Sequence, residues 1–173
     1  IAITPLQLAL AFGAVANGGR LLEPYLVRQS GSGAGAKVHH PEPVERGRPL
    51  SRGTLAVVAE LLAGVTLEGG TGKAAVVPGY PVAGKTGTAQ VFSLKGEKYS
   101  EGHVKERLRD HALFIAFAPA EQPTIALAVL VENGGFGAQA AAPIARQVLD
   151  YYLLGKLPKA PAPADEEAVE ADE

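Results

Sequence analysis

The chain has 173 residues, about one domain's worth, with 47% hydrophobic and 20% charged residues. Its formal net charge of −2 gives no electrostatic case for nucleic acid or an anionic membrane surface, and four histidines without a single cysteine exclude thiolate metal clusters and a disulfide framework. No apolar run reaches the roughly 18 residues of a membrane-spanning helix, no secretory leader pattern is present, and the opening at Ile1, directly on a helix start, reads as a piece of a longer protein.

Residues 3–19 predict a helix. Thr4 suits the N-cap, Pro5 the first helical position, and Gln7 completes a capping box. Leu6, Leu8, Leu10, Phe12 and Val15 wrap most of its circumference, which predicts burial, and Asn17-Gly18-Gly19 supplies the stop. Residues 20–28 read as extended chain interrupted at Pro24, and residues 29–40 as a Gly/Ser-rich loop or hairpin tip. His39-His40 has no acidic or thiol partner nearby and reads as loop rather than as a metal site. A second helix spans residues 51–67, capped by Ser51, with Leu55, Val58, Leu62 and Val65 in one apolar stripe. Gly69-Gly-Thr-Gly72 ends it.

The next stretch, residues 79–92, admits two readings. Gly79-x-x-x-x-Gly84-Lys85-Thr86 satisfies the phosphate-loop pattern, which works only between a strand and an immediately following helix. The same residues also read as a strand. Thr86, Thr88, Val91 and Phe92 favour extended chain, Gly87 is poor in a young helix, and Pro81 removes a loop amide. As a strand, its period of two puts Thr86, Thr88 and Gln90 on one side and Lys85, Gly87 and Ala89 on the other. A glycine between two hydroxyls then marks a close approach of backbone or ligand.

Residues 93–110 form a long polar excursion, predicted to sit over one end of the cleft that the strand lines. Arg107, Arg109 and Asp110 are candidates for a charge network pinning it, and His103 and His111 carry no catalytic assignment. Residues 112–118 and 124–132 read as an antiparallel hairpin, which disfavours the phosphate-loop reading with its parallel strands. Gly134-Gly-Phe-Gly137 breaks the second of them. Residues 138–154 predict an amphipathic helix with Ala141, Ile144, Val148, Tyr151 and Tyr152 on the inner face. Residues 157–173, rich in Pro, Ala, Asp and Glu, read as a disordered acidic tail. The fold class is α+β: an antiparallel sheet with helices packed on it.

Lys85-Thr86-Gly87-Thr88 resembles the third signature motif, Lys-Ser/Thr-Gly, of the penicillin-recognising serine transpeptidases and β-lactamases. Ile3-Thr-Pro-Leu-Gln-Leu-Ala9 with Ala16-Asn-Gly-Gly-Arg20 resembles the helix these enzymes carry ahead of that motif. Ala89-Gln-Val-Phe92, Glu106-Arg-Leu-Arg-Asp-His111, Phe117-Ala-Pro119 and Glu132-Asn-Gly-Gly135 resemble the elongation-type class B penicillin-binding proteins, the penicillin-binding protein 2 group. The resemblance covers residues 1–156 and implies the C-terminal part of a transpeptidase domain with a partial β-lactamase-like fold. It implies a peptidoglycan D,D-transpeptidase that cross-links stem peptides through a serine acyl-enzyme and binds β-lactams, without a metal or other cofactor.

In that scheme Lys85 and Thr88 are the catalytic residues. Lys85 supplies positive potential and joins the hydrogen bonds of the second motif's serine, and the Thr88 amide is an oxyanion donor. Thr86, Gly87 and Thr88 bind substrate: the two hydroxyls take the carboxylate of a D-Ala-D-Ala stem peptide, and Gly87 keeps the strand flush with the catalytic centre. The implied setting is the periplasmic face of the bacterial inner membrane. The parent would be anchored by an N-terminal helix not in this chain and would work with a membrane glycosyltransferase and cell-elongation proteins. The first and second motifs, Ser-x-x-Lys and Ser-x-Asn, are missing. None of Ser30, Ser32, Ser51, Ser93 and Ser100 has Lys three residues on or Asn two residues on. The expectation is therefore a fragment inactive by itself. A non-catalytic binding or scaffold module, and a nucleotide-binding protein using residues 79–86, stay open as alternatives.

Overall fold

In the computed structural model, residues 3–39, 42–45, 51–91 and 105–157 are described. His40, the insert at 92–104 and the tail from 158 onward, on which several of the expectations above fall, lie outside them.

The first helix, α1 (Pro5–Ala16), starts as its sequence demands. The Thr4 hydroxyl accepts from the Gln7 amide at 3.2 Å, and the Gln7 side chain accepts from the Thr4 amide at 2.8 Å. A small antiparallel hairpin of β1 (Gln29–Ser30) and β2 (Lys37–Val38) follows. Helix α2 (Arg52–Gly64) is capped by Ser51, whose hydroxyl accepts from the Thr54 amide at 3.1 Å. Leu55 is buried, with Val58, Leu62 and Val65 half-buried beside it. The main sheet holds β3 (Ala83–Ala89), β4 (His111–Ala118) and β5 (Ile125–Val131), antiparallel, in the order β3-β4-β5. Helix α3 (Ala141–Leu154) ends at Gly155, whose left-handed φ of 65° closes the last turn. No helix among the described residues is long and apolar enough to cross a membrane.

The middle strand explains the layering. His-Ala-Leu-Phe-Ile-Ala-Phe-Ala is apolar at both parities because it is covered on both faces. Ala112, Phe114, Ala116 and Ala118 are wholly buried and share a core with Ala141, Ala142, Ala145 and Leu149 of α3. The opposite face, which carries Phe117 and its partner Ala126, receives α1. Gly13 of that helix stands where a Cβ would touch Ala126 at 3.9 Å. Both β3 and β5 are outermost strands among the described residues.

Two expectations about burial are corrected. Helix α1 has no fully buried residue, and Leu6 is 55% exposed, although its apolar residues surround the axis. Its cover comes mainly from β5 and β4, with a lesser contact to α2. On α3 the inner face is Ala141, Ala142, Ala145 and Leu149, whereas Ile144, Val148, Tyr151 and Tyr152 lie outside, the tyrosines at 57% exposure each. Of the residues expected inside, Ala141 alone is there. The stripe that repeats every four residues runs Ala141, Ala145, Leu149, and its two small members let the start of the helix lie close on the sheet. Bulk pointed to the wrong side of a helix that is apolar most of the way round.

Two polar ties fix the entry to β3. The Thr66 hydroxyl reaches the Val82 carbonyl at 2.5 Å, joining the end of α2 to the strand. The Tyr80 hydroxyl donates to Asp150 of α3 at 3.0 Å. Burial, then the bond to Asp150 and its negative charge, raise the Tyr80 hydroxyl well above its ordinary value of 10.0, against a small opposing effect of Arg146. A proton held more tightly in the folded state means this contribution is intact below pH 10 and is lost as pH rises beyond it. Tyr80→Phe should therefore flatten the fall in urea midpoint measured between about pH 9 and pH 11. An unchanged slope would remove Tyr80 as its source.

Candidate active site

The residues that matter lie along the free edge of β3. Lys85 is exposed, Thr86 and Gly87 are half-buried, and Thr88 is exposed. Pairing in register sets Lys85 against Ile115, Thr86 against Phe114, Gly87 against Leu113 and Thr88 against Ala112. Thr86 and Thr88 thus stand over the Phe114 face, and Lys85 and Gly87 over the other, as the period of two predicts. An antiparallel edge strand bonds its neighbour with half of its amides and carbonyls and points the other half outward. The helix that a phosphate loop needs after Thr86 is not there, since residues 83–89 are one strand.

The Lys85 ammonium donates to the Thr86 carbonyl at 2.8 Å and lies 3.3 Å from the Thr86 hydroxyl. The Thr86 hydroxyl in turn donates to the Thr71 hydroxyl at 3.2 Å. Thr71 belongs to the Gly-Gly-Thr-Gly segment after α2, which the family resemblance leads toward the active-site strand but whose threonine carries no role by sequence alone. Its glycines are required by crowding. A Cβ on Gly70 would run into the Val65 carbonyl, and one on Gly72 would meet the Phe114 ring at 3.3 Å and the Val65 side chain at 3.1 Å. The segment is therefore drawn down over Phe114, which seats Thr71 beside Thr86. Nothing local in the sequence announces this contact; the one cue was a hydroxyl set among three glycines.

The close approach expected at Gly87 is made by backbone. A side chain on Gly137 would collide with the carbonyl oxygens of Leu113 and Gly87, so the chain that starts α3 rests directly on β3 and β4. The Gly137 carbonyl then accepts from the amides of Ala141 and Ala142 at 3.1 and 2.9 Å. By sequence alone Gly137 is no more than part of a strand-breaking run; the contact with β3 and β4 is what requires it.

At the far end of β3 the turn after β5 holds the end of the polar excursion. Asn133 has a left-handed φ of 54°, and its side-chain amide donates to the carbonyls of Arg107 and Arg109 at 3.2 and 2.9 Å. Its backbone amide donates to His111 Nδ1 at 2.9 Å, which occupies that nitrogen structurally. Asp110 is 4% exposed; its carboxylate accepts from the Val91 amide at 3.3 Å and its carbonyl from Gly135 at 2.8 Å. Among these bonds Arg107 and Arg109 act through their carbonyls. The expected place of residues 93–104 over the cleft lies outside the described residues.

A Lys-Thr-Gly-Thr edge strand, backed by antiparallel strands between helical layers, defines the sheet part of a penicillin-binding transpeptidase fold. Residues 1–150 match the penicillin binding protein transpeptidase domain, and the chain belongs to that family. It is 42% identical to the peptidoglycan D,D-transpeptidase MrdA of Acinetobacter baumannii, over 87% of this chain and 22% of that protein. It is 40% identical to MrdA of Haemophilus influenzae, over 90% of this chain and 24% of that protein. Among solved structures it is similar to Pseudomonas aeruginosa PBP2 in complex with WCK 5153, with TM-score 0.65, 36% identity, and 91% and 31% of the two chains covered. It also matches penicillin-binding protein A of M. tuberculosis in its penicillin G acyl-enzyme complex, with TM-score 0.68, 35% identity, and 88% and 32% covered. The chain thus spans about a quarter of the length of these MrdA relatives.

Proposed function

We propose that this chain is the substrate-edge part of an elongation-type peptidoglycan D,D-transpeptidase. The observation that carries the reading is Lys85-Thr86-Gly87-Thr88 on an outermost strand, with Lys85 and Thr88 open to solvent. An extended stem peptide ending in D-Ala-D-Ala adds alongside β3 and bonds its outward amides and carbonyls. The hydroxyls of Thr86 and Thr88 and the Lys85 ammonium hold its terminal carboxylate. A serine attacks the penultimate carbonyl, the oxyanion is met by the Thr88 amide and a second donor, and the terminal D-Ala leaves. An amine of a neighbouring stem then takes the acyl group, which forms the cross-link and frees the serine. β-Lactams enter as mimics of the dipeptide and stay on that serine.

The nucleophile, its lysine and the second motif are supplied by sequence outside these 173 residues, because no serine here carries the required neighbours. The full-length protein works at the periplasmic face of the inner membrane, beside a glycosyltransferase and cell-elongation proteins.

The test is covalent labelling with a fluorescent penicillin. The full-length protein should label and should release D-Ala from a stem-peptide substrate, whereas the isolated 173-residue chain should not label. A full-length protein that neither labels nor releases D-Ala would refute the enzyme reading; labelling of the isolated chain would refute the assignment of the nucleophile.

A further inference from the structure

We propose that Thr71 is a specificity-determining residue of this site, the hydroxyl that donates to the substrate carboxylate at the end of the chain Lys85–Thr86–Thr71. The inference deepens the transpeptidase reading and rests on it.

A hydroxyl has one proton to give. In this structure the Thr86 proton goes to Thr71 at 3.2 Å, while the Thr86 oxygen faces the Lys85 ammonium at 3.3 Å. Thr86 can turn its proton to a bound carboxylate only by releasing Thr71, whereas the Thr71 proton is free to give. Thr71 accepts from Thr86, and its own O–H has no acceptor among the described residues. The three groups form a run of donors pointing one way, from a cation to an exposed hydroxyl. Such a run polarises its last member toward an incoming negative charge. Thr71 is held there by crowding that no side chain on Gly70 or Gly72 would permit. Because Thr71 itself is exposed, the fold does not depend on its methyl or its hydroxyl.

The experiment compares Thr71→Val, which keeps the shape and removes the hydroxyl, with Thr71→Ser, which keeps the hydroxyl, in the full-length protein. The second-order rate of acylation is measured with a penicillin and with its methyl ester, which lacks the anionic carboxylate. Thr71→Val should slow the acid about tenfold, the scale of one hydrogen bond to a charged group. It should change the ester less than twofold, and Thr71→Ser should recover the acid rate. A Thr71→Val protein that loses acid and ester equally, or neither, overturns the proposal while leaving the transpeptidase reading intact. A wild-type protein that neither penicillin acylates removes the reading and this inference together.

Discussion

Lys85→Ala in the full-length protein is expected to slow acylation by penicillin on the order of a hundredfold, the scale seen when one preorganised donor is removed from an acyl-transfer site. The melting temperature should hardly move. The two outcomes go together for a structural reason. Lys85 is exposed, and its ammonium is bonded to the carbonyl and hydroxyl of its own neighbour, Thr86. Deleting an exposed side chain with only such local bonds changes stability by about 0.5 kcal/mol or less. Lys85→Arg should recover little, since a planar fork cannot place a point charge where the ammonium sits beside Thr86. Acylation rates and thermal melts on the three proteins decide it. A loss of rate matched by a loss of stability would mean that Lys85 holds the strand rather than serves the chemistry.

What the sequence made legible was local. Thr4, Pro5 and Gln7 announce a helix start within four residues, and Ser51 does the same for α2. The β-branched composition after Lys85 marked a strand, and its period of two placed the two threonines on one side. What stayed hidden was decided by approach between distant segments. Thr71 and Thr86 are 15 residues apart and meet only because Phe114, on another strand, leaves room for Gly72. The inner face of α3 is hidden for a related reason. Its alanines are weak hydrophobic signals, but closeness to a flat sheet selects small side chains over Ile144 and Val148. The over-reading of α1 has the opposite cause. An apolar circumference says which residues prefer cover, not how many neighbours are at hand to provide it.

Gly137→Ala should damage stability and activity together. Its added methyl would fall on two carbonyl oxygens, those of Leu113 and Gly87, and neither backbone can rotate away as a side chain would. Either the turn lifts and strains the bonds from Ala141 and Ala142 to the Gly137 carbonyl, or β3 is pushed outward at Gly87. Overpacking of this kind costs about 2–3 kcal/mol, read as a lower denaturant midpoint. Displacing β3 also moves Thr86 and Thr88, and misplacement by about an ångström can cost a hundredfold in rate. Gly87→Ala separates the two effects. The atoms nearest its methyl belong to the Leu113 side chain, at 3.2 Å and beyond, and not to backbone. Stability should fall by about 1 kcal/mol or less, while the methyl narrows the space beside the strand and slows acylation. Gly53→Ala, in the first turn of α2 with open space around it, is the control and should change stability by about 0.5 kcal/mol or less. If Gly137→Ala behaved like the Gly53 control, the start of α3 would not be resting on the substrate strand, and the rigidity assigned to the Lys-Thr-Gly-Thr edge would need another source.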